Sequence, residues 1–339
     1  MKIALIGCGF FALNHLHAWA DIDGAEVVAI CDVDPDRLAS AGDQFGVARR
    51  YASAEAMFAD GGFDAVDIAT TVQTHRSLVE MAARQGVHAI CQKPFASNMT
   101  DARSMVMAFE GTGRTLMVHE NFRWQSAVRR VIDELRAGAI GTPYFGRVSF
   151  RSGYDVFSGQ PYLAEGERFI IEDLGIHILD IARALFGDVT RLAATTKRVN
   201  PAIRGEDVAT MLLAHESGVT SVVDCSYATR RAPETFPESL IEIDGEDGTM
   251  RLDAGYQLTL QTKDGSRVYD LSPPVLPWAS RPWHNIQESV LAIQEHFVAC
   301  VAEKTEPETS GADNLRTLAL VEAAYVSAAE GRMVEVNAL

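Results

Sequence analysis

Lys2-Ile3-Ala4-Leu5-Ile6-Gly7-Cys8-Gly9-Phe10-Phe11-Ala12 decides the fold. A short apolar run over 2–6 reads as a strand, and the pattern over 12–20 as a helix. The turn between them is GxGxxA. In such a turn the first glycine allows the sharp bend and the second lets backbone approach a pyrophosphate. A small residue at Ala12 then lets helix and sheet pack closely, with phosphate at the helix N-terminus. Gly7, Gly9, Phe10, Phe11 and Ala12 are therefore candidate dinucleotide contacts, against an incidental glycine-rich turn as the plainer alternative. Asp32 ends the next strand-like run, Glu26–Cys31, where a carboxylate hydrogen-bonds a ribose 2′-hydroxyl and repels a 2′-phosphate. Val33, Asp34, Pro35 and Asp36 follow it without a cation, so NAD is expected over NADP. The plainer alternative for Asp32 is the start of an Asp-Pro turn.

Working outward, strands are expected at 65–69, 87–91 and 115–119, with helices at 37–45, 54–60, 75–85 and 100–110. The strands are nearly continuous in apolar character, as suits a parallel sheet covered on both faces. This alternation defines an α/β Rossmann domain over residues 1–122. From 123 to 339 the rhythm changes: a helix at 126–137, a strand at 144–151 and a helix at 172–185. Strands follow at 189–199, 207–215, 219–229, 238–244, 249–253, 257–262 and 268–271, with helices at 285–303 and 313–330 and a strand-like 333–336. Short Gly-containing turns imply antiparallel pairing, so the second domain is expected to be α+β with a large open, mostly antiparallel sheet.

The 339 residues carry 30 Lys plus Arg against 46 Asp plus Glu, a formal net charge of −16. That excess repels phosphate backbones and anionic lipid headgroups, so neither nucleic acid nor a membrane surface is expected as partner. Cys8, Cys31, Cys91, Cys225 and Cys300 are scattered and form no CxxC pair, which points to a reducing compartment. The apolar stretch before Cys8 is too short for a signal core of about 7–15 residues, and no run approaches the roughly 18 apolar residues of a membrane helix. A cytoplasmic protein is expected.

Cys91-Gln92-Lys93-Pro94, Ala69-Thr70-Thr71 with His75, Asn121-Phe122-Arg123-Trp124, and Asp173-Leu174-Gly175-Ile176-His177 with Asp180 carry a family likeness. With GxGxxA and His15, they make the chain resemble the glucose–fructose oxidoreductase/inositol dehydrogenase/rhizopine catabolism (Gfo/Idh/MocA) family along essentially its whole length. The resemblance implies a nicotinamide-dependent sugar oxidoreductase and a second domain whose open sheet commonly serves oligomerisation, hence a homodimer or homotetramer. It adds Thr70, Thr71, His75, Gln92 and Lys93 to the cofactor contacts and suggests a cis bond before Pro94. Two positions depart from the family pattern: Gln92 stands for the usual Glu, and Thr71 for the usual Pro. Gln92 keeps the hydrogen-bonding shape and removes a charge beside Lys93.

Oxidising a sugar carbinol needs a base for the hydroxyl proton while hydride leaves. Lys93, Asp173 and His177 are the catalytic candidates. A helix puts Asp173 and His177, four residues apart, on one face, where the carboxylate orients the imidazole. Asn121, Arg123 and Trp283 join these three as candidate sugar contacts; a purely structural role for Arg123, and a loop-anchoring one for Trp283, are the alternatives. His75 has helix capping as its alternative. Metal is not expected, since no third His or Cys lies at ligand spacing and Glu172 is on another face. The resemblance implies oxidation of a pentose such as D-apiose at its anomeric carbon to a lactone. A cyclitol or another aldose is the alternative substrate, an NAD-dependent glycosidase of the family is a more distant reading, and a non-catalytic dinucleotide sensor is the rival of another class.

Overall fold

A computed structural model describes residues 1–336, in two compact units. The first contains Met1–Glu120 and Val290–Leu315; the second contains Asn121–Ser289 and the chain from Arg316 onward. The expected division after residue 122 lies two residues from the first crossing, but residues 290–315 return to the first unit. The physical reason is long-range pairing: Val118 N–H donates to Thr309 O at 2.8 Å, and Thr309 Oγ1 donates to Val118 O at 2.9 Å. Phe297 also packs edge-on against Trp19.

In the first unit the order is β1 (Lys2–Ile6), α1 (Ala12–Asp21), β2 (Glu26–Cys31), α2 (Pro35–Gln44), β3 (Arg49–Tyr51) and α3 (Ala54–Asp60). Then come β4 (Ala65–Ile68), α4 (Val72–Gln85), β5 (His88–Gln92), α5 (Met99–Phe109) and β6 (Leu116–His119). The strands lie β3-β2-β1-β4-β5-β6, all parallel. Ile3, Ala4, Leu5, Ala65, Val66, Ala89 and Ile90 are fully buried, which is why these strands read as unbroken apolar runs. Helix starts follow local chemistry: the Asp34 side chain accepts from Asp36 N and Arg37 N with Pro35 at the first position, and Asn98 accepts from Asp101 N. α4 ends on Gly86 at φ +66°. The edge strand β3 was not expected; Arg49-Arg50-Tyr51 is polar and is held by pairing with β2.

The second unit begins with a 3₁₀ turn (Asn121–Trp124), α6 (Ser126–Arg136) and β7 (Pro143–Arg151). A π turn (Ile171–Gly175) runs into α7 (Ile176–Phe186). β8 (Val189–Lys197), β9 (Val208–His215), β10 (Thr220–Ser226), β11 (Leu240–Gly245), β12 (Gly248–Asp253), β13 (Gln257–Thr262) and β14 (Gly265–Asp270) follow. With β15 (Val334–Glu335) they form a sheet ordered β14-β13-β12-β11-β7-β10-β9-β8-β15. Its pairs are antiparallel except β7 with β10, which are joined by a long excursion. α8 (His284–Glu303) and α9 (Gly311–Glu330) each contribute residues to both units.

Candidate active site

In the first unit Gly7 sits at φ +95°, and a Cβ there would stand 2.5 Å from Ala69 O. Its amide donates to Cys31 O at 2.8 Å, so the turn is fastened to the ends of both neighbouring strands. At Gly9 a Cβ would meet only Arg37 Nη1, 4.0 Å away. Phe11 starts α1 without a side-chain cap, leaving the helix N-terminus to other acceptors, and Phe10 is exposed beside it. Ala12 is buried against the sheet. Asp32 Oδ2 accepts from Cys8 N at 2.6 Å and Oδ1 from Asp34 N at 2.8 Å, which fixes the carboxylate beside the glycine turn. A tight turn that excludes a Cβ, an uncapped helix start and an oriented carboxylate suit a dinucleotide diphosphate and ribose.

Behind this turn His15 Nδ1 bonds Asp67 Oδ2 at 2.9 Å, with both residues fully buried. Trp19 Nε1 donates to the same oxygen at 2.7 Å, so one carboxylate of β4 pins two turns of α1. Asp67 was missed because it reads as one polar residue inside an apolar strand.

Thr70 Oγ1 accepts from Thr74 Oγ1 at 2.7 Å, and Thr71 precedes α4. From the sequence, His75 is expected at the cofactor; instead it is completely buried. Its Nε2 lies 3.1 Å from Thr70 O, and its Nδ1 lies 3.1 and 3.2 Å from Pro94 O and Phe95 O. The ring clamps the segment after Lys93 to the end of β4. Gln92 Oε1 accepts from Lys93 N at 2.7 Å, and the Lys93–Pro94 bond is cis. Gln92 thus turns its amide onto the lysine's own backbone, and Lys93 is half-buried just past β5.

In the second unit the expectation of one continuous α-helix carrying Asp173 and His177 is not met. Asp173 lies inside the π turn, where Ile176 N donates to Ile171 O, five residues back. Gly175 has little room: a Cβ would approach Ile170 O to 3.3 Å. His177 is 3% exposed, and its ring stacks on Phe122 at 3.9 Å and 6°. Arg123, expected to touch sugar, makes a two-point pair with buried Asp180: Nε to Oδ2 at 2.8 Å and Nη2 to Oδ1 at 2.6 Å. Asn121 is likewise buried, donating to Ser289 Oγ at 2.7 Å. These two side chains are committed to packing α7 and α8, because a buried charge or amide needs a protein partner.

Trp283 is half-buried; its Nε1 donates to Tyr154 OH at 3.3 Å, and its ring meets Phe236 edge-on at 5.0 Å. Tyr154 stacks on Phe236 at 4.1 Å. Tyr227, just past β10, stacks on Phe169 at 5.8 Å. Burial, with the charge of Asp173 adding to it, pushes its hydroxyl well above the usual phenol range, so it stays a proton donor. Tyr154 and Tyr227 carry no local motif and were not singled out. Among the described residues no group of three or more His, Cys, Asp or Glu side chains could hold a metal ion, and no helix is long and apolar enough to cross a membrane.

Residues 1–120 match the model of the oxidoreductase family with an NAD-binding Rossmann fold, and residues 127–251 match the Gfo/Idh/MocA C-terminal domain. The chain belongs to the Gfo/Idh/MocA family and is an NAD-dependent oxidoreductase. It is 65% identical to the D-apiose dehydrogenase of Paraburkholderia graminis, covering 100% of this chain and 90% of that one. The D-apiose dehydrogenase of Rhizobium rhizogenes is 64% identical, covering 100% of this chain and 98% of that one. A crystal structure of an oxidoreductase from Agrobacterium radiobacter, in complex with NAD+, L-tartaric acid and magnesium, superposes with a TM-score of 0.99 at 64% identity. That likeness covers 100% of this chain and 99% of the other.

Proposed function

We propose that this protein is a D-apiose dehydrogenase that oxidises the anomeric carbon of the sugar to a lactone. The observation that carries the reading is 65% identity along the whole chain to an enzyme of that activity. NAD, when bound, accepts the hydride. The Gly7–Gly9 turn and the start of α1 hold its diphosphate, and Asp32 takes the ribose hydroxyls. His177 accepts the proton of the anomeric hydroxyl as its oxygen forms the lactone carbonyl. Asp173 steadies the resulting imidazolium, and the Lys93 ammonium hydrogen-bonds the reacting oxygen. Tyr227 donates to a sugar hydroxyl, and Trp283 offers an aromatic surface to the ring. The protein works in the cytoplasm and as a homo-oligomer; the second reading is supported by exposed Tyr144, Leu212 and Val268 on strands of the large sheet.

A panel of D-apiose, other pentoses, hexoses and myo-inositol, each with NAD or NADP, tests this by the absorbance of the reduced cofactor. D-Apiose with NAD is expected to give the highest kcat/KM and a product that traps as a hydroxamate. A higher kcat/KM for myo-inositol, or equal use of NADP, overturns the reading.

A further inference from the structure

Glu206, in the loop between β8 and β9, holds three consecutive backbone amides just ahead of Asp173. Its carboxylate oxygens lie 3.3 Å from Phe169 N, and Oε1 lies 3.2 Å from Ile171 N. Its main-chain carbonyl accepts from Ile170 N at 3.1 Å. Tyr325 OH, from α9, donates to Oε1 at 2.7 Å. The Arg168 guanidinium lies 3.9 Å over the Tyr325 ring and pairs with Glu322 at 2.6 Å and Glu172 at 3.2 Å. Glu206 itself is only 9% exposed.

The first amides of a helix have no acceptor within it, and a buried amide left without one is costly. A carboxylate at that end also opposes the helix dipole. The π turn over Ile171–Gly175 adds one residue to a helical turn, a geometry that is rare without outside support. Glu206 supplies that support from 35 residues away in sequence. Were the turn to close into an ordinary α-helix, one residue would be drawn in, and Asp173 would rotate by about 100° about the axis relative to His177.

We infer that Glu206 is a positioning residue: it holds the π turn open and thereby aims Asp173 at His177. This rests on the proposed roles of Asp173 and His177. Three variants test it: Glu206→Ala, Glu206→Gln, which keeps one acceptor oxygen, and Tyr325→Phe, which frees the carboxylate. With sugar and NAD, Glu206→Ala is expected to lower kcat roughly 10–100-fold while NAD affinity stays at the wild-type level. Glu206→Gln should recover most of that loss, and Tyr325→Phe should lie between it and wild type. Unchanged kcat in Glu206→Ala, or a loss that Glu206→Gln does not recover, overturns the inference. Should Glu206→Ala not fold, amide exchange of Phe169 and Ile171 is read in Glu206→Gln and Tyr325→Phe instead, and exchange unchanged from wild type in both overturns the inference. Amide exchange of Phe169, Ile170 and Ile171 in the protein without substrate is an independent reading, expected to quicken roughly tenfold in Glu206→Ala. Unchanged exchange overturns the inference. A wild-type enzyme inactive on D-apiose rejects the proposed substrate instead, and the exchange experiment still decides the role of Glu206.

Discussion

Arg123 and Asp180 meet through two parallel hydrogen bonds, of 2.8 and 2.6 Å, with the carboxylate fully buried and the guanidinium nearly so. Thr317 Oγ1 donates to the same carboxylate at 3.0 Å, tying α9 into the pair. Removing one partner strands the other charge in the interior. Arg123→Ala and Asp180→Asn are each expected to cost about 3–5 kcal/mol in urea unfolding. Sugar KM measured on the folded fraction should stay near wild type. An Arg123→Lys enzyme of full stability that has lost sugar affinity would return the arginine to substrate binding.

The two glycines of the turn should separate fold from ligand. Gly7→Ala puts a Cβ against Ala69 O at a positive φ, so both melting temperature and NAD affinity are expected to fall. Gly9→Ala has space in the protein, so its melting temperature should hold while NAD affinity drops, because on the proposed reading its methyl group would stand in the path of the diphosphate. Equal NAD affinity in Gly9→Ala and wild type, by fluorescence titration, would remove Gly9 from the cofactor contacts.

His177→Ala should lower turnover by about 10²–10⁴ and leave NAD affinity intact. On the proposed base role neutral imidazole is the active form, so kcat is expected to rise with pH in the wild type and the ascending limb to disappear in the variant. Where Lys93 shares the proton on the proposed mechanism, the limb reports the pair and not His177 alone. A variant that keeps its turnover and its limb transfers the base role to Lys93.

Burial lowers the titration of His75 and of His215 in the folded protein, outweighing their hydrogen bonds to backbone carbonyls. The unfolded chain takes up protons at these residues near pH 6.5, while the folded chain resists them. Acidification below that value therefore favours unfolding, by up to about 1.4 kcal/mol per pH unit for each histidine. The melting temperature should fall between pH 7 and pH 5.5, and less steeply in His75→Gln. A melting temperature flat over that range contradicts the assignment.

The Rossmann rhythm was legible because its information is local. Strands covered on both faces are apolar throughout, and helix starts carry their caps at Asp34, Ser53 and Asn98. β3 was not legible, since its polar residues become a strand only by pairing with β2. At the site, GxGxxA and Asp32 announced themselves by spacing alone. Arg123 and Asn121 looked like ligand contacts until their partners, 57 and 168 residues away, were in view. The π turn was hidden for the same reason: the residue that supports it is in another loop.

The first unit is discontinuous in the chain. Val118 takes its edge partner from Thr309, and the Asp67 carboxylate has Gln294 Nε2 at 3.5 Å. On the ribosome the sheet can assemble once residue 120 emerges, yet its last brace arrives only after some 190 more residues have been synthesised. A gene fragment ending at Glu120 would thus encode a cofactor module lacking part of its own wall, and grafting it onto another enzyme would require residues 290–315 to travel with it.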